Sequence, residues 1–262
     1  MKIFTGQKSS RPRIRTDRFS LFEYKRILAK AKSSGYAFFL IPDFKKRRAR
    51  GGRHIFLRHD VDVSPLNALK MAEVERSLGA RAVYYIRLHS VFYNPCAQPF
   101  FGAIKRIKSL GHEIGLHYDC AFYGENGLGV AEGITKDAGI LEKTFRTRIR
   151  TVSQHRPAVN GKKHRVPNRY VDAYDSSLLG KVRYISDSGF KWRGRTLSEI
   201  IGEYPAICAL IHPDTWAHAD LAMPASYKKT ARSIQGVIEE EISGFIDSTK
   251  EYLMKRFRKE ID

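Results

Sequence analysis

Acidic and imidazole side chains stand at the carboxyl ends of five predicted strands. Active sites of parallel α/β folds are built at that end, where side chains from several strands meet. An aspartate after a strand often caps the next helix, but capping alone does not explain five such endings in one chain. The sequence therefore predicts one shared site, contributed by Arg58-His59-Asp60-Val61-Asp62, His117-Tyr118-Asp119, His155-Arg156, Asp187-Ser188 and His212-Pro213-Asp214.

Two of the aspartates and one histidine indicate a metal site. Asp60 and Asp62 are two residues apart on a strand, so both carboxylates point the same way. Two adjacent like charges are unfavourable unless they share a proton or a cation. His117 lies near the end of its strand, whereas His112 faces the opposite side and is interpreted as structural. A carboxylate and an imidazole suit a divalent transition metal, zinc above all, and catalytic zinc usually has three protein ligands.

The third ligand has two candidates, His155 and Asp119. His155 would come from the neighbouring strand, and Asp119 shares the face of His117 if that strand continues. The aspartate that does not bind the metal can act as the base that deprotonates a bound water. His212 can act as the acid that protonates a leaving group, provided that the two environments set their pKa values apart.

The elements that must position these residues alternate between strands and helices. Strands separated by helical segments of about 10–15 residues indicate βαβ units and a parallel sheet or barrel. Phe19, Phe22, Ile27 and Leu28 are expected on the buried side of the first helix. Strands are predicted at 54–59, 82–88, 112–117, 150–155, 184–187 and 207–212, and helices at 21–31, 65–77, 99–110, 132–145 and 230–259.

Charge divides the chain into two parts. The net charge is +20, and residues 1–53 hold 16 Lys and Arg against three acids. We expect a basic N-terminal extension with one helix over 1–53, and one α/β domain with a long C-terminal helix over 54–262. The basic run at 45–50 attracts polyanions such as the anionic inner face of a membrane. It has no interleaved aromatic residues, so no specific nucleic acid is expected.

Composition excludes several classes of protein. No apolar run approaches the 18 or so residues that cross a bilayer, and the first residues lack the apolar core of a signal peptide. Three scattered cysteines exclude a disulfide framework. We therefore expect a cytoplasmic protein, peripheral at the inner membrane face through its basic extension.

Five polar segments follow one another along the chain: Arg58-His-Asp-Val-Asp62, Gly111-His-Glu-Ile-Gly-Leu-His117, His155-Arg-Pro157, Asp187-Ser188 and Leu210-Ile-His212. Their order resembles that of the polysaccharide deacetylases with NodB homology, carbohydrate esterase family 4, and is closest to their WbmS-like branch. The resemblance spans about residues 54–216. It implies a deformed (β/α) barrel, with parallel strands and surrounding helices, and metal-dependent removal of acyl groups from sugars.

The resemblance also implies roles for single residues. Asp60 resembles the general base, Asp62 and His117 two metal ligands, and His212 the catalytic acid. By the same comparison, Arg156 corresponds to the arginine that orients the base and Asp187 to the partner of the acid.

One family position differs in this chain. The second metal histidine of the family lies four residues after the first, and Ala121 stands there. His155 can replace the missing histidine as a metal ligand, and Asp119 is the second candidate for this position. The third possibility is a weakened metal site in a protein without catalytic activity.

These features predict a metal-dependent carbohydrate N-deacetylase. Its substrate would be a nucleotide-linked or lipid-linked acetamido sugar, or a polysaccharide, in surface-glycan or O-antigen biosynthesis. Tyr93, Asn94 and Trp192 are expected to contact the sugar by stacking and hydrogen bonds. The alternative hypothesis is a non-catalytic deacetylase-like barrel that serves as a basic adaptor or polyanion-binding protein.

Overall fold

Eight parallel strands form one sheet at the centre of the molecule. A computed structural model describes residues 19–44, 51–160, 164–192, 194–219 and 221–259. Within them the strand order is β6-β5-β4-β3-β2-β8-β7, with β1 beside the start of β2, and every pair is parallel. The strands are β1 Tyr36–Phe38, β2 Arg53–Val61, β3 Ala82–Ile86, β4 Glu113–Tyr118, β5 Thr151–Gln154, β6 Val171–Asp172, β7 Arg183–Ser186 and β8 Ala206–Ile211.

Helices connect most of the strands and cover the outside of the sheet. None of the described helices combines the length and the apolar composition needed to cross a bilayer. The helices are α1 Leu21–Ser33, α2 Pro65–Ser77, α3 Phe100–Ser109, α4 Cys120–Glu125, α5 Val130–Phe145, α6 Ser176–Leu179, α7 Leu197–Ile200, α8 Pro213–Trp216 and α9 Met223–Lys259.

The sheet curls into a half-barrel. Its edge strands, β6 and β7, do not pair with each other within the described residues, yet both line one cavity, through Asp172 and Arg183. The parallel strands and surrounding helices confirm the predicted deformed (β/α) barrel.

Local sequence explains the elements that carry the site. All residues of β2 after Arg53 are buried, which is typical of a parallel strand covered on both faces. The Ser64 side chain caps the start of α2 by accepting a hydrogen bond from the backbone of Asn67, and Pro65 lies in the first turn.

Part of the N-terminal extension belongs to the same core. Strand β1 pairs with β2, and Phe19, Ile27 and Leu28 of the first helix region are buried. Phe22 was expected on this buried side, but it is 77% exposed because it faces away from the sheet. Residues 1–18 and the basic run at 45–50 lie outside the described residues.

A buried carboxylate joins four elements away from the strand ends. Glu75 of α2 accepts hydrogen bonds from Tyr24 of α1 at 2.5 Å and from Tyr84 of β3 at 2.7 Å, and His59 Nε2 of β2 lies 2.7 Å away. His112 Nδ1 is 3.4 Å from the same carboxylate. The structural interpretation of His112 is therefore confirmed.

Candidate active site

Three predicted metal ligands converge at the carboxyl end of the sheet. Asp62, just after β2, places its Oδ1 atom 3.3 Å from His117 Nε2 of β4 and 3.7 Å from His155 Nε2 beyond β5. Donor atoms about 3.4 Å apart are what tetrahedral zinc with bonds of about 2.1 Å requires. Among the described residues, no group of three or more His, Cys, Asp or Glu side chains is arranged so that it could hold a metal ion as it stands. The fit therefore rests on the distances between these three donor atoms.

The hydrogen bonds of both rings favour a cation at this point. His117 Nδ1 donates to the Ser153 carbonyl at 3.0 Å, and His155 Nδ1 lies 3.0 Å from Asp119 Oδ2. The other nitrogen of each ring, Nε2, faces Asp62 Oδ1, a buried atom that no donor of good hydrogen-bond geometry reaches within the described residues. Second hydrogen bonds of this kind are typical of histidines that bind a metal through the remaining ring nitrogen. The residues therefore fit a divalent metal.

Asp119 orients a candidate ligand. Strand β4 ends at Tyr118, so Asp119 no longer follows the strand's alternation and instead caps α4, accepting from the backbone of Ala121 at 3.1 Å. Its other oxygen accepts from Arg87 at 2.9 Å and faces His155. The hydrogen bond with His155 holds the pKa of Asp119 well below its usual range.

The candidate base is held by residues that the sequence did not single out for this task. Asp60 accepts from Arg58 at 3.3 Å and from the Ser153 hydroxyl at 3.2 Å. Burial raises the pKa of Asp60, but Arg58 and then His117 outweigh burial and lower it below the usual value. The carboxylate is ionised at neutral pH.

Arg156 makes no hydrogen bond with the candidate base in this structure. Its side chain is exposed and does not bond Asp60, because the chain turns away after β5 at φ +47°. Arg58 contacts Asp60 instead, since its position two residues earlier on β2 puts both side chains on one face.

The predicted acid and its partner are in direct contact. His212 Nδ1 lies 2.6 Å from Asp187 Oδ1, and the indole of Trp216 donates to Asp187 Oδ2 at 2.7 Å. Burial lowers the pKa of His212, but Asp187 more than offsets this and raises it to about 9. The other ring nitrogen, Nε2, is 4.0 Å from Asp62 Oδ2. A protonated imidazole therefore stands at the edge of the candidate metal site.

A cavity of about 990 Å³ is lined by the candidate base, the three candidate metal ligands and the candidate acid, which are Asp60, Asp62, His117, His155 and His212. Four aromatic side chains lie on its wall, and sequence reasoning assigned none of them. Phe92 neighbours the chosen Tyr93, whereas the others lie on β7, on α9 or in a segment without periodicity. They are Phe92, Tyr174, Tyr184 and Tyr227.

The three predicted sugar contacts do not line this cavity. Tyr93 is 4% exposed and its hydroxyl donates to the Val61 carbonyl, while Asn94 accepts from the backbone of Cys96 in a local turn. Trp192 is 7% exposed and packs against Trp216, with ring centres 6.1 Å apart. Tyr93 and Trp192 are thus packed in the interior, whereas Asn94 is exposed outside the lining of this cavity.

Comparisons with known proteins give remote structural likenesses. No family model and no curated protein matches the sequence. The deacetylase PplD from Streptococcus pyogenes, in complex with acetate, is 13% identical with a TM-score of 0.40, and the match covers 51% of this chain and 61% of PplD. The peptidoglycan deacetylase PdaC from Bacillus subtilis is 14% identical with a TM-score of 0.42, over 81% of this chain and 98% of PdaC.

A third similar structure is a carbohydrate esterase family 4 pseudoenzyme from Bacillus anthracis. It is 11% identical with a TM-score of 0.40, over 72% of this chain and 62% of the pseudoenzyme. This chain therefore spans less than two thirds of both PplD and the pseudoenzyme. With TM-scores below 0.5, these likenesses carry no argument about activity, so a function has to be argued from the geometry of the site.

Proposed function

We propose that this protein is a metal-dependent carbohydrate N-deacetylase, a hydrolase that removes the acetyl group from an acetamido sugar. The observation that carries the proposal is the convergence of Asp62, His117 and His155 between an ionised Asp60 and a protonated His212. A divalent metal, zinc foremost, would be held by the first three residues, where it would acidify a water molecule and polarise the acyl carbonyl.

Asp60 has the environment of a general base. Its carboxylate is ionised and fixed by Arg58 and Ser153, while His117 Nε2 is 3.9 Å from Asp60 Oδ2. It can therefore accept the proton of a water molecule that attacks the acyl carbon. Loss of such a base costs on the order of 10²–10⁴ in rate.

His212 has the environment of the acid. With a pKa raised to about 9, the ring carries its proton at neutral pH. Asp187 holds the Nδ1 side, so Nε2 is the atom that can donate to the departing sugar amine. The Trp216 indole fixes Asp187 from behind, which keeps the ring in one orientation.

The biological setting belongs to the same proposal. The cavity, at about 990 Å³, is at the upper end of the range for small-molecule sites, which supports a substrate larger than one sugar ring, such as a nucleotide-linked or lipid-linked acetamido sugar or a polysaccharide segment. The basic extension supports a location at an anionic inner-membrane face in the cytoplasm, and a role in surface-glycan assembly.

Metal content and acetate release test the proposal together. We expect stoichiometric zinc in the purified protein, with loss of zinc and of acetate release in Asp62→Ala. Asp172→Ala is the matched control, because it also removes a carboxylate from the cavity wall, and it should keep the metal. Metal-free protein that takes up no added zinc would contradict the proposal.

A second candidate function, a non-catalytic polyanion-binding barrel, is favoured by one observation. Ala121 occupies the position of the family's second metal histidine and is exposed. The same metal analysis separates the two functions, since this alternative predicts folded protein without bound metal.

A further inference from the structure

Arg156 lines the cavity but has no role in the reaction proposed above. Its side chain is exposed, lines the cavity and directly follows the candidate ligand His155. Within the described residues it makes no hydrogen bond and no ion pair, although its charge acts on the nearby hydroxyl of Tyr227. Arg58 already holds Asp60, so the positioning of the base does not need Arg156.

The backbone holds Arg156 in an unusual conformation. Its φ of +47° lies in the left-handed region, which is uncommon for residues other than glycine. The turn is fixed because the Arg156 carbonyl accepts from the backbone of Val159 at 2.9 Å and of Asn160 at 3.0 Å. Conformations of this kind concentrate at functional sites.

The guanidinium of Arg156 is available to bind a ligand, unlike those of the other arginines that line the cavity. Four arginines line the cavity. Arg87 pairs with Asp119, and Arg195 pairs with Glu203. Arg183 lies over the Tyr204 ring, with its guanidinium carbon 5.3 Å from the ring centre. Of the four, Arg156 alone has no partner of this kind in the described part of the chain. A guanidinium matches the geometry of phosphate and carboxylate oxygens, which it binds through two hydrogen bonds.

We propose that Arg156 binds an anionic oxygen group of the substrate, a phosphate or a carboxylate carried next to the N-acyl sugar. This inference rests on the proposed function and narrows its substrate to anionic acetamido sugars. Arg156 is thereby a specificity residue, which recognises the substrate beyond the reacting group.

The test compares substrates of different charge on full-length protein. The substrates are a nucleotide-diphosphate-linked N-acetylhexosamine, a lipid-diphosphate-linked one, a glycan containing N-acetylmuramic acid, and a neutral N-acetylglucosamine oligomer. We expect one anionic substrate to be preferred over the neutral oligomer. The preferred one identifies the group as phosphate or carboxylate, and the two diphosphates separate a nucleotide source from a lipid source.

Two variants and one control assign the preference to Arg156. Arg156→Gln should raise KM for the preferred substrate about 10- to 100-fold, as expected for loss of a charged hydrogen-bonded pair. The same variant should leave kcat and the neutral substrate almost unchanged, and Arg156→Lys should restore part of the affinity. Arg146→Gln is the matched control, because Arg146 is also an exposed arginine with a left-handed φ of +46°, at the end of α5.

Some outcomes would contradict the proposed anion site without contradicting the proposed deacetylase activity. Equal activity on neutral and anionic substrates, unchanged in Arg156→Gln, would reject the anion site but not the deacetylase activity. An equal fall in kcat on every substrate would assign Arg156 to the chemical step instead. If no substrate releases acetate, binding of the nucleotide-linked sugar, measured by calorimetry, still decides. Binding that is lost in Arg156→Gln and kept in Arg146→Gln supports the anion site, and equal binding by both variants rejects it.

Discussion

Ser153 serves both halves of the candidate site through two different atoms. Its hydroxyl accepts from Arg58 at 2.6 Å and donates to Asp60 at 3.2 Å, whereas its carbonyl accepts from His117. A single residue of β5 thus positions the candidate base through its side chain and the candidate metal ligand His117 through its backbone. A substitution of the Ser153 side chain removes the contacts with Arg58 and Asp60 but keeps the backbone contact with His117.

Ser153→Ala should lower kcat for acetate release on the order of 10-fold and leave zinc content unchanged. The variant removes the hydroxyl that fixes Arg58 and Asp60 but keeps the carbonyl that fixes His117. Steady-state kinetics and metal analysis measure the two effects. Ser186→Ala is the control, since Ser186 also lines the cavity but bonds Ser188. Full activity in Ser153→Ala would show that the hydroxyl does not position the base.

The positions of single residues could be predicted from the sequence where the alternation of side chains along a strand determines the face on which they lie. Asp60, Asp62, His117, His155 and His212 end their strands, and their placement at one edge of the sheet follows from parallel topology. Arg58 was quoted in the same run but left without a role, although its spacing from Asp60 puts it on the same face. The resemblance pointed to Arg156, whose backbone turn no sequence pattern revealed.

The end of a strand and the start of a helix coincide at Asp119. Strand β4 stops one residue before it, and α4 begins one residue after it. The register between β4 and β5 pairs His117 with Ser153 and Tyr118 with Gln154. His155 therefore follows β5 level with Asp119, which explains why the neighbouring strand can supply the third ligand.

Asp119→Asn should weaken zinc binding about 10- to 100-fold, because it removes the charge that orients His155. Asparagine retains the helix cap, so the fold should not change. A competition titration with a zinc chelator measures the affinity. The matched control is Asp175→Asn, which alters the cap of α6 away from the metal ligands. Equal zinc affinity in both variants would exclude an orienting role for Asp119.

Elements differed in how far the sequence predicted them. Strands β2, β3, β4, β5, β7 and β8 and helices α1, α2, α3 and α5 were predicted within a few residues, because their apolar periodicity extends over a full face. Helix α9 begins at Met223, seven residues before its predicted start. Strands β1 and β6 have three and two residues, and helices α4, α6, α7 and α8 have six or fewer. Such short segments do not complete a periodic pattern, so tertiary contacts determine them.

At the scale of the whole molecule, Glu75 connects the N-terminal helix to the sheet. Its carboxylate contacts side chains of α1, β2 and β3, and all of them are buried. Burial raises the pKa of Glu75, but His59 and the other partners outweigh burial and lower it below its usual value. The ionised carboxylate thus stabilises the folded state.

Glu75→Gln should destabilise the protein by about 3 kcal/mol, since the amide would place a donor among three donors, and lower Tm by about 5 °C. Because the pKa of Glu75 is lower in the folded than in the unfolded state, its contribution to stability is complete above the ordinary glutamate pKa of 4.5 and is lost as pH falls from there through the folded pKa. Thermal unfolding at pH 7 and pH 3.5 should therefore show a smaller gap between wild type and variant at the lower pH. Glu132→Gln, at an exposed ion pair, should show no gap at either pH.

The position of Phe19 constrains how the basic extension can be shortened. Phe19 packs edge-on against Trp216, with ring centres 5.0 Å apart, and Trp216 donates to Asp187. A truncation that starts at residue 54 would strip this aromatic support, β1 and the Tyr24 partner of Glu75 along with the charge. A truncation that starts at residue 19 would discard six of the lysines and arginines and spare these supports. Only the shorter deletion tests the role of this charge while the contacts that support Asp187 and His212 stay intact.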